Sequence, residues 1–444
     1  MNTPRSIEVQ GFINAHKLSG MQVLILLLCF LIVAVDGFDT AAIGFIAPAI
    51  RAEWQLTPAH LAPVFGAGLA GLMAGAFVFG PLADRFGRKS VLLICVGFFG
   101  LMSLASAWSS SLEMLVALRF LTGLGLGGAM PNSVTLSSEY APEKHRSVLV
   151  TTMFCGFTLG SALGGVAAAH IVAVYGWRSV LMLGGVLPLV LLPVLAFALP
   201  ESARYLVMAN RRLDDVRRAL QRIAPQEDLS QARFAVTEKA QAGFPVKHLF
   251  DAALRRGTVL LWLAFFMSLL VIYLLSSWLP TLISSTGMSL KDASLVTAMF
   301  QVGGTVGAIT LGQLMDRFSP QRVLGVTYVL AALFTALIGV STGHTLQLVI
   351  AVFGAGFCVS GGQVGANALS AGFYPTATRA TGVSWANGVG RIGSVLGSMA
   401  GGLLLASGLG LPMVFAIVGM PAVVAGICFV AMGRVERVRL VPAH

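Results

Sequence analysis

Apolar segments recur along the whole chain and alternate with short polar stretches. A helix needs about 20 predominantly apolar residues to cross the hydrocarbon core of a bilayer. The pattern predicts an all-α polytopic membrane protein with twelve spanning helices. We place the spans at residues 22–48, 60–80, 90–108, 114–137, 148–173, 178–199, 257–283, 293–315, 322–342, 346–371, 380–406 and 411–432.

One long polar interval, residues 200–256, separates the first six spans from the last six. It predicts three parts: a six-helix bundle over residues 1–199, a linker over 200–256 and a second six-helix bundle over 257–444. Residues 213–223 within the linker repeat apolar side chains at helical spacing, which predicts a short amphipathic helix on the membrane surface.

Composition supports the membrane assignment. Hydrophobic residues make up 56% of the chain and charged residues 11%, against about 25% charged in a typical soluble domain. The net charge of +11 follows membrane topology rather than a nucleic-acid surface, because the basic residues are concentrated in one set of alternate loops. Of 29 lysines and arginines, only Arg51, Arg178 and Lys291 fall in the predicted outer loops, so we expect both termini and the linker to be cytoplasmic.

Three pairs of segments repeat at an offset of 232 or 233 residues. Residues 80–89 (GPLADRFGRK) match 312–322 (GQLMDRFSPQR), residues 139–146 match 374–379, and glycines 160 and 164 match glycines 393 and 397. Two related six-helix halves are therefore predicted. Such repeats place a substrate site near the midplane, at the interface of two halves that rock against each other. The spaced glycines predict close helix packing.

The first span contains two carboxylates, Asp36 and Asp39. They lie three residues apart on one helix face, and an ionisable side chain at membrane depth usually marks a functional site. Burial favours the protonated carboxyl group and a nearby cation favours the ionised one. We predict that the pair handles protons, and which aspartate holds the proton stays open. The alternative is a static ion pair, or an N-cap at a helix break beside Gly37.

Two arginines also fall within spans. Arg391 lies among small residues, and its planar guanidinium suits a carboxylate, so we predict that it binds the carboxylate of a substrate. Alternatively it neutralises an aspartate in the empty protein. Arg119 is assigned to the proton path, paired with Asp36 or Asp39; its alternative is a structural hydrogen bond between helices.

Several motifs resemble those of one transporter family. Residues 80–89 resemble the loop signature of the major facilitator superfamily, and 119–125 (RFLTGLG) and 200–206 (PESARYL) are similar to its fourth-helix and sixth-helix motifs. Residues 36–48 (DGFDTAAIGFIAP) resemble the first-helix signature of its aromatic acid:proton symporters. The resemblance implies a monomeric transporter in the bacterial inner membrane. It would import hydroxylated aromatic acids such as 4-hydroxybenzoate and protocatechuate with protons.

Such a substrate needs apolar walls and a few polar groups. Besides Arg391, the candidate substrate-binding residues in the spans expected to line the pore are Phe38, Phe45, Tyr273, Trp278, Phe300, Gln301, Asn367, Trp385 and Asn387. A second set of charged residues is predicted to be cytoplasmic and to form salt bridges that lock the outward-open state. These are Asp84, Arg85, Arg88, Glu139, Arg146, Asp316 and Arg379.

Other functions remain open at this point. Uptake of benzoate or muconate-type acids, efflux of aromatic acids, and a transporter-like chemotaxis sensor are the alternatives. An enzyme is not predicted, because the chain shows no nucleophile–base set and no phosphate-binding loop. We expect no cofactor, no metal site and no nucleic-acid partner.

Overall fold

The computed structural model describes residues 6–210, 212–229, 232–236, 249–251, 254–341, 343–374 and 378–440. For residues 147, 379, 380 and 434–440 it describes the backbone alone. Within these ranges, twelve helices are long and apolar enough to cross a membrane. Each coincides with one predicted span, so the all-α polytopic fold is confirmed.

The helices follow one another with short connections. A short helix, α1 (Val9–Ala15), precedes the first six spanning helices. These are α2 (Gly20–Trp54), α3 (Pro58–Phe86), α4 (Arg88–Ser106), α5 (Leu112–Tyr140), α6 (Arg146–Tyr175) and α7 (Arg178–Ala198). The linker contributes α8 (Ala203–Met208) and α9 (Leu213–Ile223). The last six are α10 (Arg255–Ser284), α11 (Leu290–Arg317), α12 (Pro320–Val340), α13 (Thr345–Phe373), α14 (Arg379–Ala406) and α15 (Leu411–Leu440).

The junction between α3 and α4 is shorter than the sequence indicates. Residues 80–86, which include the charged Asp84 and Arg85, continue α3, and Gly87 alone separates it from α4. Gly87 has a φ of 100°, which residues with a side chain rarely adopt. A Cβ atom there would also lie 2.4 Å from Oε2 of Glu201. Glycine is therefore required for both conformation and space.

The matching junction between α11 and α12 uses different residues. Phe318 is extended, Ser319 precedes the helix and Pro320 begins it. Proline is well suited to the first position of a helix, where no intrahelical hydrogen bond needs its missing N–H. Ser319 and Pro320 stand where the first copy has Gly87 and Arg88, so the second copy keeps the helix start but lacks the arginine.

The linker also forms a small sheet that the sequence did not predict. Strand β1 (Ser6–Glu8) pairs in parallel with β2 (Arg233–Ala235), with Ile7 opposite Phe234. Strands of three residues are too short to give an alternating pattern. The sheet ties the N-terminal segment to the end of the linker.

Helix α9 has the predicted boundaries, but its environment differs from the prediction. Val216, Leu220 and Ile223 are buried in a cluster with Leu199 and Leu206. Protein side chains therefore cover most of the apolar face that we expected to lie on lipid.

The chain packs into two compact units. The first comprises Met1–Thr40, Ala70–Gly160 and Leu181–Ala240, and the second comprises Ala41–Leu69, Ser161–Val180 and Gln241–His444. The boundaries between these units cut through α2, α3, α6 and α7. The division into two bundles and a linker at residues 199 and 256 stays a prediction.

Glycines bring helix backbones into contact at equivalent places of the repeat. In the first unit, a Cβ atom on Gly160 of α6 would lie 1.8 Å from the carbonyl oxygen of Ala34 in α2. In the second unit, a Cβ atom on Gly393 of α14 would lie 2.2 Å from the carbonyl oxygen of Phe266 in α10. The predicted close packing at these glycines is confirmed, because no larger residue fits.

We predict that Gly393→Ala destabilises the protein while Gly388→Ala on the same helix does not. The added methyl group meets backbone at Gly393, whereas nothing lies within 4 Å of the corresponding position at Gly388. Overpacking of this kind costs about 1–3 kcal/mol. Thermal unfolding of the purified variants in detergent measures the difference, and equal unfolding temperatures would contradict the assigned packing.

Candidate functional site

The first unit contains a buried ion pair between two spanning helices. Asp39 of α2 is 1% exposed and Arg119 of α5 is 3% exposed. Nη1 of Arg119 lies 3.0 Å from Oδ2 of Asp39, and Nη2 lies 3.5 Å from Oδ1. The sequence left two possible partners for Arg119, and the structure identifies Asp39.

Two hydroxyl groups complete the hydrogen bonds of this pair. Ser103 of α4 donates through Oγ to Oδ1 of Asp39, and Nη2 of Arg119 donates to Oγ1 of Thr122 at 3.0 Å. Neither hydroxyl was among the predicted residues. Thr122 had a signal, because it follows Arg119 by three residues on the same helix face. Ser103 had none, since nothing local distinguishes it from the other serines in apolar segments.

Small and aromatic neighbours enclose the pair. A Cβ atom on Gly184 of α7 would lie 3.1 Å from Oδ1 of Asp39, and 3.5 Å from Cε1 of Phe38. A residue larger than glycine would therefore crowd the carboxylate. Four helices, α2, α4, α5 and α7, meet at this point.

Asp36 has different hydrogen-bonding surroundings. It is fully buried, and its Oδ1 accepts a hydrogen bond from Oγ1 of Thr40 at 3.1 Å. Asp39 therefore forms the ion pair, while Asp36 is bonded to a hydroxyl on its own helix.

This arrangement can link a proton to helix packing. A proton on Asp39 would remove the charge that Arg119 is paired with. A buried charge that loses its partner is strongly destabilising, so the guanidinium would have to find new partners or move. Loss of the pair would therefore affect how α2 and α5 pack against each other.

The second unit contains a separate polar cluster around Arg391. Nη1 of Arg391 donates to Oη of Tyr273 in α10 at 3.0 Å. One turn earlier on α14, Nδ2 of Asn387 donates to Oδ1 of Asn367 in α13 at 3.3 Å. All four side chains are half-buried. They form a partly accessible polar surface on three neighbouring helices.

The local backbone explains how Arg391 comes to lie beside Tyr273. Gly390 and Gly393 flank it on α14, and Cβ atoms there would lie 2.5 Å from Cδ1 of Leu269 and 2.2 Å from the carbonyl oxygen of Phe266. The phenol oxygen of Tyr273 accepts from the arginine, so its own O–H group can donate elsewhere. The remaining guanidinium donors have the planar geometry that a carboxylate requires.

The other predicted substrate residues lie in two kinds of environment. Five are almost fully buried: Phe38, Phe45, Trp278, Phe300 and Gln301. Trp278 donates through Nε1 to the carbonyl oxygen of Ser398 at 2.6 Å and packs edge-on against Phe65, so in this structure it holds helices together. Trp385 is 45% exposed and stacks on Trp262. Substrate contact by these residues stays a prediction.

Part of the predicted gate set forms a network in the first unit. Arg88 bonds to Asp84, and its Nε lies 3.8 Å from Oε1 of Glu139. The other oxygen of Glu139 accepts a hydrogen bond from Oγ of Ser202. Glu201 accepts the backbone N–H of Lys89 at 2.8 Å. The sequence pointed to residues 200–206 as a motif, but not to Glu201 and Ser202 as partners of this network.

The remaining gate residues are less connected. Arg146 lies 4.0 Å from Glu143, and the carbonyl oxygen of Arg85 accepts a hydrogen bond from Oη of Tyr205. Asp316 is exposed. The side chain of Arg379 lies outside the described residues. A locking role for the set stays a prediction.

A metal site would need several histidine, cysteine or carboxylate side chains close together. The five cysteines are free, and Cys29, Cys95, Cys358 and Cys428 are buried. Within the described ranges, no group of three or more His, Cys, Asp or Glu side chains is placed to hold a metal ion.

The fold and the motifs match a known family. The model of the Major Facilitator Superfamily matches residues 29–291 and 261–443. This chain belongs to the Major Facilitator Superfamily. It is therefore a multi-pass membrane transporter.

Individual relatives refine this assignment. The chain is 50% identical over 443 residues to the 4-hydroxybenzoate transporter PcaK of Pseudomonas aeruginosa, covering 98% of this chain and 99% of the relative. It is 47% identical over 438 residues to a gallate transporter of Pseudomonas putida, covering 98% and 97%. The resemblance to aromatic acid transporters that the first-helix motif indicated is confirmed.

Among solved structures, the chain is similar to a bacterial homologue of the human lysosomal transporter Spinster in an inward-facing, unoccupied conformation. The TM-score is 0.75 at 18% identity, over 96% of this chain and 100% of that one. At this identity the likeness shows the fold alone.

We predict a large coupling energy between Asp39 and Arg119. Asp39→Asn and Arg119→Gln should each destabilise the protein by about 3–5 kcal/mol, because each leaves one buried charge without its partner. The double variant should lose much less than the sum of the two, since neither charge remains. Thermal unfolding of all four proteins gives the cycle, and additive losses would show that the two side chains do not act as a pair.

Proposed function

We propose that this protein imports hydroxylated aromatic acids, such as 4-hydroxybenzoate and protocatechuate, together with protons across the bacterial inner membrane. The observation that carries the proposal is the ion pair of Asp39 and Arg119, buried between spanning helices. The names of the relatives supply the class of substrate. Alternating access is the mechanism of transport, and a monomer suffices for it.

The charge of the substrate explains why coupling is needed. An aromatic carboxylate is an anion at neutral pH, and the cytoplasm is electrically negative. Moving one charge against 100 mV costs about 2.3 kcal/mol. A co-transported proton cancels this charge, and a second proton would make the membrane potential drive uptake.

We assign the proton step to Asp39, with Asp36 on the same path. A proton can favour one conformation only if the two conformations bind it with different affinity. The bond network gives such a difference a physical basis, because Asp39 pairs with Arg119 and accepts a hydrogen bond from Ser103. A nearby cation favours the ionised form of a carboxyl group in general, and a conformation that separates α2 from α5 would remove this cation.

Arg391 is the proposed anchor for the substrate carboxylate. Its guanidinium is half-buried and is oriented by Tyr273. Asn387 lies one turn away on the same helix and bonds to Asn367 of α13; these two side chains and Gln301 are the proposed partners of a ring hydroxyl group. The apolar walls would come from Phe38, Phe45, Phe300, Trp278 and Trp385.

The charged network at the junction of α3 and α4 is the proposed cytoplasmic gate. Single exposed ion pairs contribute little to stability. The partly buried pair of Arg88 and Glu139 has a hydrogen-bonding neighbour in Ser202. We propose that making and breaking such bonds sets the balance between the outward-open and inward-open states.

Gallate is a specific alternative substrate, because a relative at 47% identity is named for it. Uptake of benzoate or muconate, efflux and a sensor role are the remaining alternatives. A binding panel of 4-hydroxybenzoate, protocatechuate, gallate, benzoate and muconate on purified protein distinguishes the substrates. Preference for an acid without a ring hydroxyl would count against the proposed role of the asparagines.

Uptake of labelled 4-hydroxybenzoate into proteoliposomes should require an inward proton gradient. Asp39→Asn should lose gradient-driven accumulation while it still binds the acid, because the carboxamide cannot exchange a proton. Asp214→Asn, on the exposed face of α9, is the matched control and should accumulate normally. Unchanged accumulation after the gradient is collapsed would refute symport, and normal accumulation by Asp39→Asn would remove Asp39 from the proton path.

Arg391→Lys should weaken apparent substrate affinity by roughly tenfold or more, because lysine keeps the charge but loses the two-pronged geometry. Arg51→Lys, whose arginine bonds to a backbone carbonyl, is the control and should leave the affinity unchanged. The concentration dependence of initial uptake rates measures both. If both variants keep the original affinity, the carboxylate is bound elsewhere.

A further inference from the structure

A groove lies where α2 begins, α7 ends and α9 passes beside both. Its volume is about 700 Å³. Met21 and Leu24 of α2 and Ala198 of α7 line one side, and Arg218 and Arg222 of α9 line the other. The groove belongs entirely to the first unit. It lies apart from the residues assigned above to protons or substrate.

The apolar side of the groove continues along the membrane. Leu24, Leu27 and Leu31 are exposed on α2, and their spacing places them on one face of the helix. At the end of α7, Phe197 is also exposed. Exposed apolar faces of spanning helices lie against hydrocarbon, so the groove opens at one edge onto the acyl chains of the bilayer.

The basic side of the groove is held in a fixed orientation. Val216, Leu220 and Ile223 of α9 are buried in the protein, which turns the opposite face of the helix outward. Arg218 and Arg222 lie one turn apart on that face. Arg218 pairs with Asp215, yet its side chain remains 74% exposed, and Arg222 is exposed. Two cations and one carboxylate leave the rim positively charged.

We propose that this groove binds an anionic phospholipid, with the phosphate at Arg218 and Arg222 and an acyl chain along Leu24, Leu27 and Leu31. Basic residues beside a membrane attract anionic headgroups, and guanidinium groups bind phosphate oxygens with paired hydrogen bonds. A free phosphate ion would use only the basic side, and an uncharged lipid only the apolar side. The combination fits a molecule with both parts.

The bound lipid would bridge α2, α7 and α9. It would hold α9, and with it the linker, against the ends of α2 and α7. Phosphatidylglycerol should therefore stabilise the folded protein against heat, because a ligand that binds only the folded state raises its stability. This proposal is independent of the transported substrate.

The test compares the full-length protein with R218Q/R222Q in nanodiscs of phosphatidylcholine, with and without phosphatidylglycerol. Native mass spectrometry counts the phosphatidylglycerol retained, and thermal unfolding reports stability. Loss of two basic contacts should reduce retention roughly tenfold or more and abolish the stabilisation. R217Q is the matched control, because Arg217 on the same helix bonds to Asp214 and to the carbonyl oxygen of Leu229. It should retain phosphatidylglycerol, and be stabilised by it, to the same extent as the unchanged protein.

Two further arms keep the outcome decisive. Leu24→Trp narrows the apolar side without touching α9, so it should reduce retention even if the double arginine variant fails to fold. Inorganic phosphate added to phosphatidylcholine nanodiscs should not stabilise the protein. Equal retention of phosphatidylglycerol by the unchanged protein and both groove variants would overturn the proposal. Full stabilisation by inorganic phosphate would overturn it as well, in favour of a free-anion site.

Discussion

The ion pair of Asp39 and Arg119 is the constraint around which the first unit is arranged. Taking two charges out of water costs more than their attraction returns unless further hydrogen bonds satisfy them. Ser103 and Thr122 supply those bonds, and Gly184 leaves room for the carboxylate. Two apolar residues would fill the same space at a lower cost. A charged pair in this position is thus costly for stability alone, which agrees with the proton-handling role proposed for it.

The two copies of the repeat share backbone contacts but differ in chemistry. Gly160 and Gly393 occupy equivalent positions, and both press a helix onto the first helix of their half. The first half contains the buried carboxylate of Asp39, paired with Arg119, whereas the second contains Arg391, half-buried and bonded to a neutral phenol. The glycines thus preserve the packing, while the charged side chains of the two halves differ, as the proposed division between proton and substrate requires.

Hydropathy predicted all twelve spans because an apolar helix is the only simple way to place such segments in a membrane. Helix ends were predicted less well, since a helix can continue past its apolar span into a segment with charged residues, as α3 does through Asp84 and Arg85. The chemistry of Asp39 was visible from its type and depth, but spacing alone did not choose between Asp36 and Asp39 as the partner of Arg119. Ser103 lies on a different helix from Asp39, and the position of Trp278 in the sequence is compatible with either a pore-lining or a core residue. Such contacts depend on tertiary packing, which one sequence does not reveal.

The matching junctions at the starts of α4 and α12 differ in how their backbone groups are bonded. The carboxylate of Glu201 accepts the backbone N–H of Lys89, and its carbonyl oxygen accepts the hydroxyl of Tyr140 from the end of α5. Pro320 begins the matching helix, so the first position of α12 has no N–H group to satisfy. At the first junction, the N–H group of the second helical position, Lys89, is bonded by a residue beyond α7. Breaking either bond to Glu201 would leave a partly buried polar group unpaired, which is costly. The start of α4 and the end of α5 are thus both bonded to Glu201, which lies just beyond α7 at the start of the linker.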